Sequence, residues 1–339
     1  MASSVDPADT QREYDAIKSS AGIRLLEDRL VVRVSGDDRI SFMHGMCTAD
    51  MKSLAPGKLV RALFLTEHAH VIADCFIYAL QEQALWLEVE RPRWTAIRKH
   101  LERFLVADDV ELEELDTLGL LDIEGPASIE MAAGIAGDAV RELKQWQHLE
   151  CDGFRIANLP RYGEPAFTLI AGRTALAALA VRMKQSRPEI CELNARTLEI
   201  IRIENGLALI GTDTNERTLA LEARLEPAIA FNKGCYVGQE TIERATAHGS
   251  LKRRLYGVRI DGSEIPSPGA LIQLEGKEVG RLTSVALSPA TGIIGLAILH
   301  HSVWAAGTCV PVAGSQGTIT GSVCDLPFRQ MRPIAANEA

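Results

Sequence analysis

The chain has 339 residues, about two domains' worth at ~150 residues each, so it can bury a sizeable core by itself. Hydrophobic residues make up 47% and charged residues 24%, far from the apolar-poor composition of disordered chains. With 36 Lys and Arg against 45 Asp and Glu, the formal charge of −9 excludes attraction of nucleic acid or anionic lipid by net field, and any anionic ligand needs a local basic patch.

In chain order, residues 1–15 are polar and expected to be loosely held, with neither a basic, apolar-cored signal peptide nor an Arg-rich transit segment. Strands are predicted at RLVVRV (29–34), LVRALFL (59–65), HVIADCFIYAL (70–80) and ALWLEVE (84–90), separated by Gly, Pro and polar turns. DRISFMHGM reads as a helix with Asp37 or Asp38 as its N-cap and Ile40, Met43 and His44 on one face. A second helix spans 93–106, with Ile97, Leu101, Phe104 and Leu105 at helical spacing. Residues 108–116 hold six acidic side chains and no basic one, the composition of a solvated strand edge. TLGLLDIEG is a strand, Pro126 opens the helix ASIEMAAGIA, and FRIANLPRYGEPAFTLIAG is two strands around a Pro/Gly turn. TALAALAVRMK and ARTLEIIRIENG are helices, the latter ended by Gly206 in the left-handed conformation that glycine adopts cheaply. Strands and helices therefore intermix to residue ~230, an α+β layering. From residue 250 short apolar or alternating runs broken by glycines predict an all-β barrel or sandwich, with the boundary near 245–252.

The seven cysteines are odd in number, widely spaced and without Cys-x-x-Cys, which argues against a disulfide framework or a zinc knuckle and for a reducing, cytoplasmic setting. No histidine, His248, His300 and His301 included, has metal-ligand spacing. The longest stretch free of Asp, Glu, Lys and Arg, Leu282 to Cys324, has an apolar core too short for the ~20 residues that span a bilayer.

Two features carry chemistry. In FNKGCYVGQETIERATAHG (231–249), Gly234 and Gly238 flank Cys235 and Tyr236, so the backbone can turn sharply and present the thiol. Lys233 and Arg244 offer cations that favour thiolate over thiol, and Gln239 and Glu240 add an amide and a carboxylate. From Lys233 to Arg259 six basic residues face two acidic ones, a local +4 suited to an anion. A cysteine taken alone is most often a small buried hydrophobe. In VIADCFIY, alternation puts Ile72, Asp74, Phe76 and Tyr78 on one face, where Asp74 either accepts an N–H from a ligand or is satisfied by backbone.

KGCYVGQE followed by Arg244 resembles the signature of the YgfZ-type folate-binding proteins, relatives of the glycine-cleavage T-protein (aminomethyltransferase) that support iron–sulfur cluster assembly or repair. The resemblance extends through VSGDDRISFMHGMCTADM, ALFLTEHAHVIADCFIY and IRIENGLALIGTD to KRRLYGVRI, VGRLTSVALSP and LPF. It implies a three-lobed α+β aminomethyltransferase-like fold, with two α+β lobes over residues 16–248 and a small C-terminal β-barrel over 249–330, surrounding a hole for tetrahydrofolate or a one-carbon derivative. It carries Asp74 and Tyr78 to the folate's reactive side, adds Arg202 and Glu222 as folate-side positions, and makes Cys235, at the rim of the hole, the working residue. Two departures stand out: RYGEPAFT places Thr168 where T-proteins supply a glutamate to the pterin, and Cys235–Tyr236 replace an acidic pair. The function this implies is a tetrahydrofolate-binding accessory protein whose partners are iron–sulfur client or assembly proteins, with no nucleic acid, membrane or metal. The alternatives are a folate-dependent aminomethyltransferase or demethylase and an interaction module with a structural thiol, so enzymatic activity stays open.

Overall fold

The computed structural model describes residues 7–247 and 251–328. Its first helix, α1 (Pro7–Ser19), corrects the expectation of a loose N-terminal segment over residues 7–15, while residues 1–6 lie outside the described part. Thr10, Glu13, Tyr14 and Ile17 form its buried stripe at i, i+3, i+4 and i+7. Two of the four are polar, which hides the stripe from a hydropathy reading. Glu13 is buried because it works: it accepts from the backbone and side-chain amides of Asn194 and from the Thr197 hydroxyl.

After β1 (Gly22–Leu25), the first lobe comprises β2 (Arg29–Ser35), α2 (Arg39–Met46), β3 (Leu59–Leu65), β4 (Val71–Ala79), β5 (Leu85–Glu90), α3 (Trp94–Phe104) and β6 (Glu111–Glu114). Its antiparallel sheet runs β3-β4-β5-β2-β6, so the acidic segment is a sheet edge as expected. Alternation sends Val32, Val34, Phe64, Cys75, Ile77 and Leu87 to one face, where Phe42 and Met43 of α2 and Ile97 and Leu101 of α3 cover them. Asp38 stands at the start of α2, but its carboxylate accepts from the backbone N–H of Asp109 instead of capping the helix.

The second lobe adds β7 (Leu118–Glu124), α4 (Ser128–Ala136), β8 (Gln147–Cys151), β9 (Phe154–Asn158), β10 (Ala166–Gly172), α5 (Arg173–Ser186) and β11 (Cys191–Glu192), with sheet order β11-β1-β7-β10-β9-β8. Helices α4 and α5 pack on its outer face. Its inner face meets the inner face of the first sheet, where Phe76, Tyr78, Leu59 and Val31 pack against Leu120, Ala157 and Ile170. Asp74, Phe76 and Tyr78 therefore point between the lobes.

α6 (Ala195–Glu204) starts at Asn194, whose side chain accepts from the Thr197 N–H at 2.9 Å, and stops at Gly206 with φ +67. A long irregular stretch leads to α7 (Gln239–Ala247). Six strands, β12 (Arg253–Ile260), β13 (Leu271–Leu274), β14 (Lys277–Ser288), β15 (Gly292–His300), β16 (Cys309–Ala313) and β17 (Thr318–Cys324), then close a barrel in the order β12-β15-β14-β13-β16-β17. One barrel wall, with Leu255, Ile294, Leu296 and Phe328, packs on Leu198 and Ile201 of α6 and Ile17 of α1. No helix among the described residues is long and apolar enough to cross a membrane.

Candidate functional site

A cavity of about 250 Å³ opens between the two lobes and α6. Arg24 of β1, Arg29 of β2, Arg61 of β3, Arg161 of the β9–β10 turn and Arg202 of α6 bring guanidiniums to it; Asp28, Asp74, Glu90 and Glu199 bring carboxylates. Phe76 forms an apolar wall, with Arg29 and Arg161 over its ring at 5.7 and 4.9 Å. Such a lining suits a planar ligand carrying both hydrogen-bonding edges and negative charge.

Asp74 sits in this cavity with a partner that sequence reasoning missed. Arg61 Nη2 and Nε donate to its Oδ2 at 2.7 and 3.2 Å, reaching diagonally because Leu63 stands directly opposite Asp74 in the β3–β4 register. Burial alone would raise the Asp74 carboxyl, but the Arg61 and Arg29 charges outweigh it and hold it below the usual carboxylate range. Glu90 moves the other way: burial and the Asp74 charge raise it against the pull of Arg29 and Arg93. Two carboxyls displaced in opposite directions within one cavity can divide acid and base roles.

Tyr78 and Thr168 lie behind this wall and do not line it. The Tyr78 hydroxyl donates to Glu88 Oε2 at 2.7 Å, and the Thr168 hydroxyl to Asp122 Oδ1 at 2.5 Å. Glu88 Oε1 also meets Arg29 Nε at 2.8 Å and Arg161 Nη1 at 2.7 Å, and Arg161 Nε donates to Asp122 at 2.8 Å. Tyr78 and Thr168 thus fix the two carboxylates that aim Arg29 and Arg161 at the cavity. A buried network of opposite charges paired in this way holds one arrangement of them.

The motif occupies a different surface. Cys235 is exposed, as the flanking glycines predict, yet neither it nor any other residue from Lys233 to Arg244 lines the lobe cavity. That corrects the expectation of a thiol at the cavity rim. Lys233 is buried and its Nζ donates to the carbonyl oxygens of His44, Cys47 and Ala49 while lying 4.8 Å from the Tyr236 ring centre. The amine is therefore engaged by backbone. Tyr236 packs into the cluster around Ile229 and Ile242, and burial, with Glu243 nearby, pushes its hydroxyl up to about 12. Gly238 has φ +90, and a Cβ there would stand 2.7 Å from the Thr66 carbonyl oxygen, so the turn into α7 requires glycine. On α7, Gln239 donates to Glu243 and Arg244 pairs with Glu240 at 3.3 Å. Gly234 approaches His44, whose Nε2 would lie 3.5 Å from a Cβ at that position.

The two remaining positions also separate. Arg202 is buried at the cavity's far side, bound to Glu199, to Asp213 Oδ2 at 2.6 Å and to Ser284 of the barrel at 2.7 Å. Glu222 lines a second cavity, between the irregular stretch and the barrel, where it faces Arg253 at 3.1 Å. Of the expected folate-side residues, Asp74 and Arg202 share the lobe cavity, Tyr78 and Thr168 support it, and Glu222 lies apart. His248 falls outside the described residues. The missed residues, Arg61 above all, carried the signal that marked Asp74, a charge inside an otherwise apolar strand.

The GCVT N-terminal domain matches residues 4–233 and the glycine cleavage T-protein C-terminal barrel domain matches residues 253–329. A putative transferase, chloroplastic, of Arabidopsis thaliana is 28% identical, covering 91% of this chain and 71% of its own length. An aminomethyltransferase of Nostoc sp. is 26% identical, covering 83% of this chain and 77% of its own. The crystal structure of glycine cleavage system aminomethyltransferase T from Bartonella henselae superposes with a TM-score of 0.87 at 22% identity, over 95% of this chain and 90% of that one.

Proposed function

We propose that this chain, which belongs to the glycine cleavage T-protein family, binds a tetrahydrofolate-type ligand between its lobes and uses Cys235, on a separate surface, as an accessory factor for iron–sulfur proteins. The observation that carries the folate half is Asp74, paired with Arg61 in an arginine-lined cavity with an aromatic wall. A reduced pterin offers N–H groups to such a carboxylate, and its glutamate tail offers anions to the guanidiniums. The thiol half rests on KGCYVGQE, a motif whose glycines expose the sulfur while Lys233 and Tyr236 anchor the loop. Iron–sulfur client or assembly proteins are the partners this reading names, and an open surface accommodates them better than an enclosed pocket would.

Titration with tetrahydrofolate followed by protein fluorescence tests the first half: Asp74→Ala should weaken binding at least tenfold, and Cys235→Ala should leave it unchanged. Iron–sulfur enzyme activities in a strain lacking the protein test the second: Cys235→Ala should fail to restore them, and full restoration would refute the role of the thiol. The oppositely displaced Asp74 and Glu90 favour a second reading, one-carbon transfer to the bound folate. Production of methylene-tetrahydrofolate from an amine donor, lost in Asp74→Asn, would establish it.

A further inference from the structure

The loop carrying the motif is pinned at two points over the end of α2. Lys233 Nζ holds the carbonyls of His44, Cys47 and Ala49, and the Val237 N–H donates to the Gly45 carbonyl at 3.1 Å. Between these anchors lie Gly234 and the exposed Cys235, and beneath them lies His44, only 7% exposed. Its Nε2 points at the loop, 3.5 Å from where a Cβ on Gly234 would stand. Its Nδ1 lies 3.2 Å from Asp50 Oδ1, close enough to orient the ring though off line for a full hydrogen bond. Asp50 is in turn fixed by the Lys52 N–H at 3.0 Å.

We propose that Cys235, His44 and Asp50 form a nucleophile, base and orienting group that exchange the thiol with a disulfide presented by a partner, a proposal that rests on Cys235 being the working residue named above. An exposed thiol, a buried imidazole directed at its loop and a carboxylate on the far ring nitrogen are the three parts that activate a nucleophile. Acyl transfer would need enclosed donors for an oxyanion, whereas disulfide exchange needs only an accessible sulfur and a means of moving one proton. The step balances. Cys235 gives its S–H proton to His44 Nε2, Sγ forms a bond to one sulfur of the disulfide as the S–S bond breaks, and the departing thiolate takes the proton back from Nε2. The products are a mixed disulfide on Cys235 and one free thiol, with no net oxidant beyond the disulfide itself. Phe231, 45% exposed on the same loop, gives a peptide-borne disulfide an apolar contact.

The groups facing His44 are Asp50 and Lys52 on the segment after α2 and Lys233 on the motif loop. Burial, then the Lys233 charge, hold the imidazole below its usual value against the pull of Asp50, so the ring is neutral and able to accept a proton at pH 7.

Oxidised glutathione is the probe, and mass spectrometry of the cysteine peptides the readout, with Cys309, the other exposed thiol, as reference within the same molecule. Cys235 should form the mixed disulfide at least about tenfold faster than Cys309 at pH 7 and keep reacting below pH 7, where an ordinary thiol with a pKa of about 8.5 is protonated. His44→Gln should bring Cys235 to the Cys309 rate and shift its pH profile upward, Asp50→Asn should give an intermediate rate, and Cys309 should not change in either. Equal rates and profiles for the two thiols in the unaltered protein would overturn the proposal, as would a folded His44→Gln variant with unchanged Cys235. Should His44→Gln fail to fold, the profile of the unaltered protein decides. Failure here leaves the complementation by Cys235→Ala to judge the broader role of the thiol separately.

Discussion

The Lys233 ammonium donates to three carbonyl oxygens around the end of α2, two of which lie past the last helical residue, Met46. Helix ends leave carbonyls without intrahelical partners, and a cation there satisfies them with charge-assisted bonds. Its place two residues before Cys235 reads as an electrostatic helper for the sulfur, but the contacts give it a different task, holding the motif loop to the first lobe. Lys233→Met keeps the bulk and removes the donors, so it should cost roughly 2–3 kcal/mol of stability, since three buried carbonyls lose a charged partner. Urea unfolding measures that loss. Cys235 in the folded variant should still exchange faster than Cys309, because His44 remains. A Lys233→Met protein as stable as the parent would show that the three bonds contribute nothing net.

At the scale of elements, the two lobes are stitched edge to edge where β8 of one sheet meets the start of β3 of the other. The Leu59 N–H donates to the Trp146 carbonyl, and the His148 N–H to the Gly57 carbonyl at 2.9 Å. The His148 ring completes the seam: Nε2 lies 3.1 Å from the Lys58 carbonyl, and Nδ1 lies 2.9 Å from Arg155 Nη1. Burial and the Arg155 charge lower this imidazole to about 4. Because the folded value lies below the unfolded one, the unfolded chain takes up a proton that the folded chain refuses as pH falls through about 6.5. Stability from this group is therefore complete above that pH and declines toward pH 4, by up to roughly 3 kcal/mol. Stability of the parent minus that of His148→Gln, from urea unfolding at pH 7 and pH 4.5, should shrink by more than 1 kcal/mol at the lower pH; a constant difference would refute the assignment. Strands β2 to β5, β7, β9 and β10 were legible because their apolar runs are bounded by turn residues, and α6 because Gly206 marks its end. β8 (QHLEC), α7, with Ile242 as its one fully buried apolar residue, and α1, with a half-polar buried stripe, were not, because their burial is decided by partners distant in sequence. The site divides in the same way. Asp74 announces itself as a charge in an apolar strand, whereas His44 meets the motif only through folding across 189 residues to Lys233. Its sequence signal, a place on a helical face, is shared with Met43, which is plain core.

For the whole molecule, the barrel acts on the cavity through α6 without lining it. Arg202 faces the cavity on one side and reaches Ser284 of β14 on the other, and Glu204 accepts from Tyr14 of α1 and Ser288 of β14. Leu296 of β15 and Leu198 and Ile201 of α6 belong to the apolar cluster that seats helix on barrel, while Val312 of β16 lies in the barrel's own core. Both Leu296 and Val312 are fully buried, so truncating either leaves a void, at a cost of about 2–5 kcal/mol for Leu→Ala and less for the smaller valine. Their effects on ligand should differ. Leu296→Ala loosens the seat of α6 and with it the aim of Arg202, so tetrahydrofolate affinity should fall several-fold in protein that is still fully folded at the assay temperature. Val312→Ala leaves the helix contact intact and should bind as the parent does. Fluorescence titration of the two variants side by side, with unfolding curves to confirm the folded state, separates a local loss of aim from general weakening: equal affinities would show that the barrel stabilises α6 without positioning the arginine it carries.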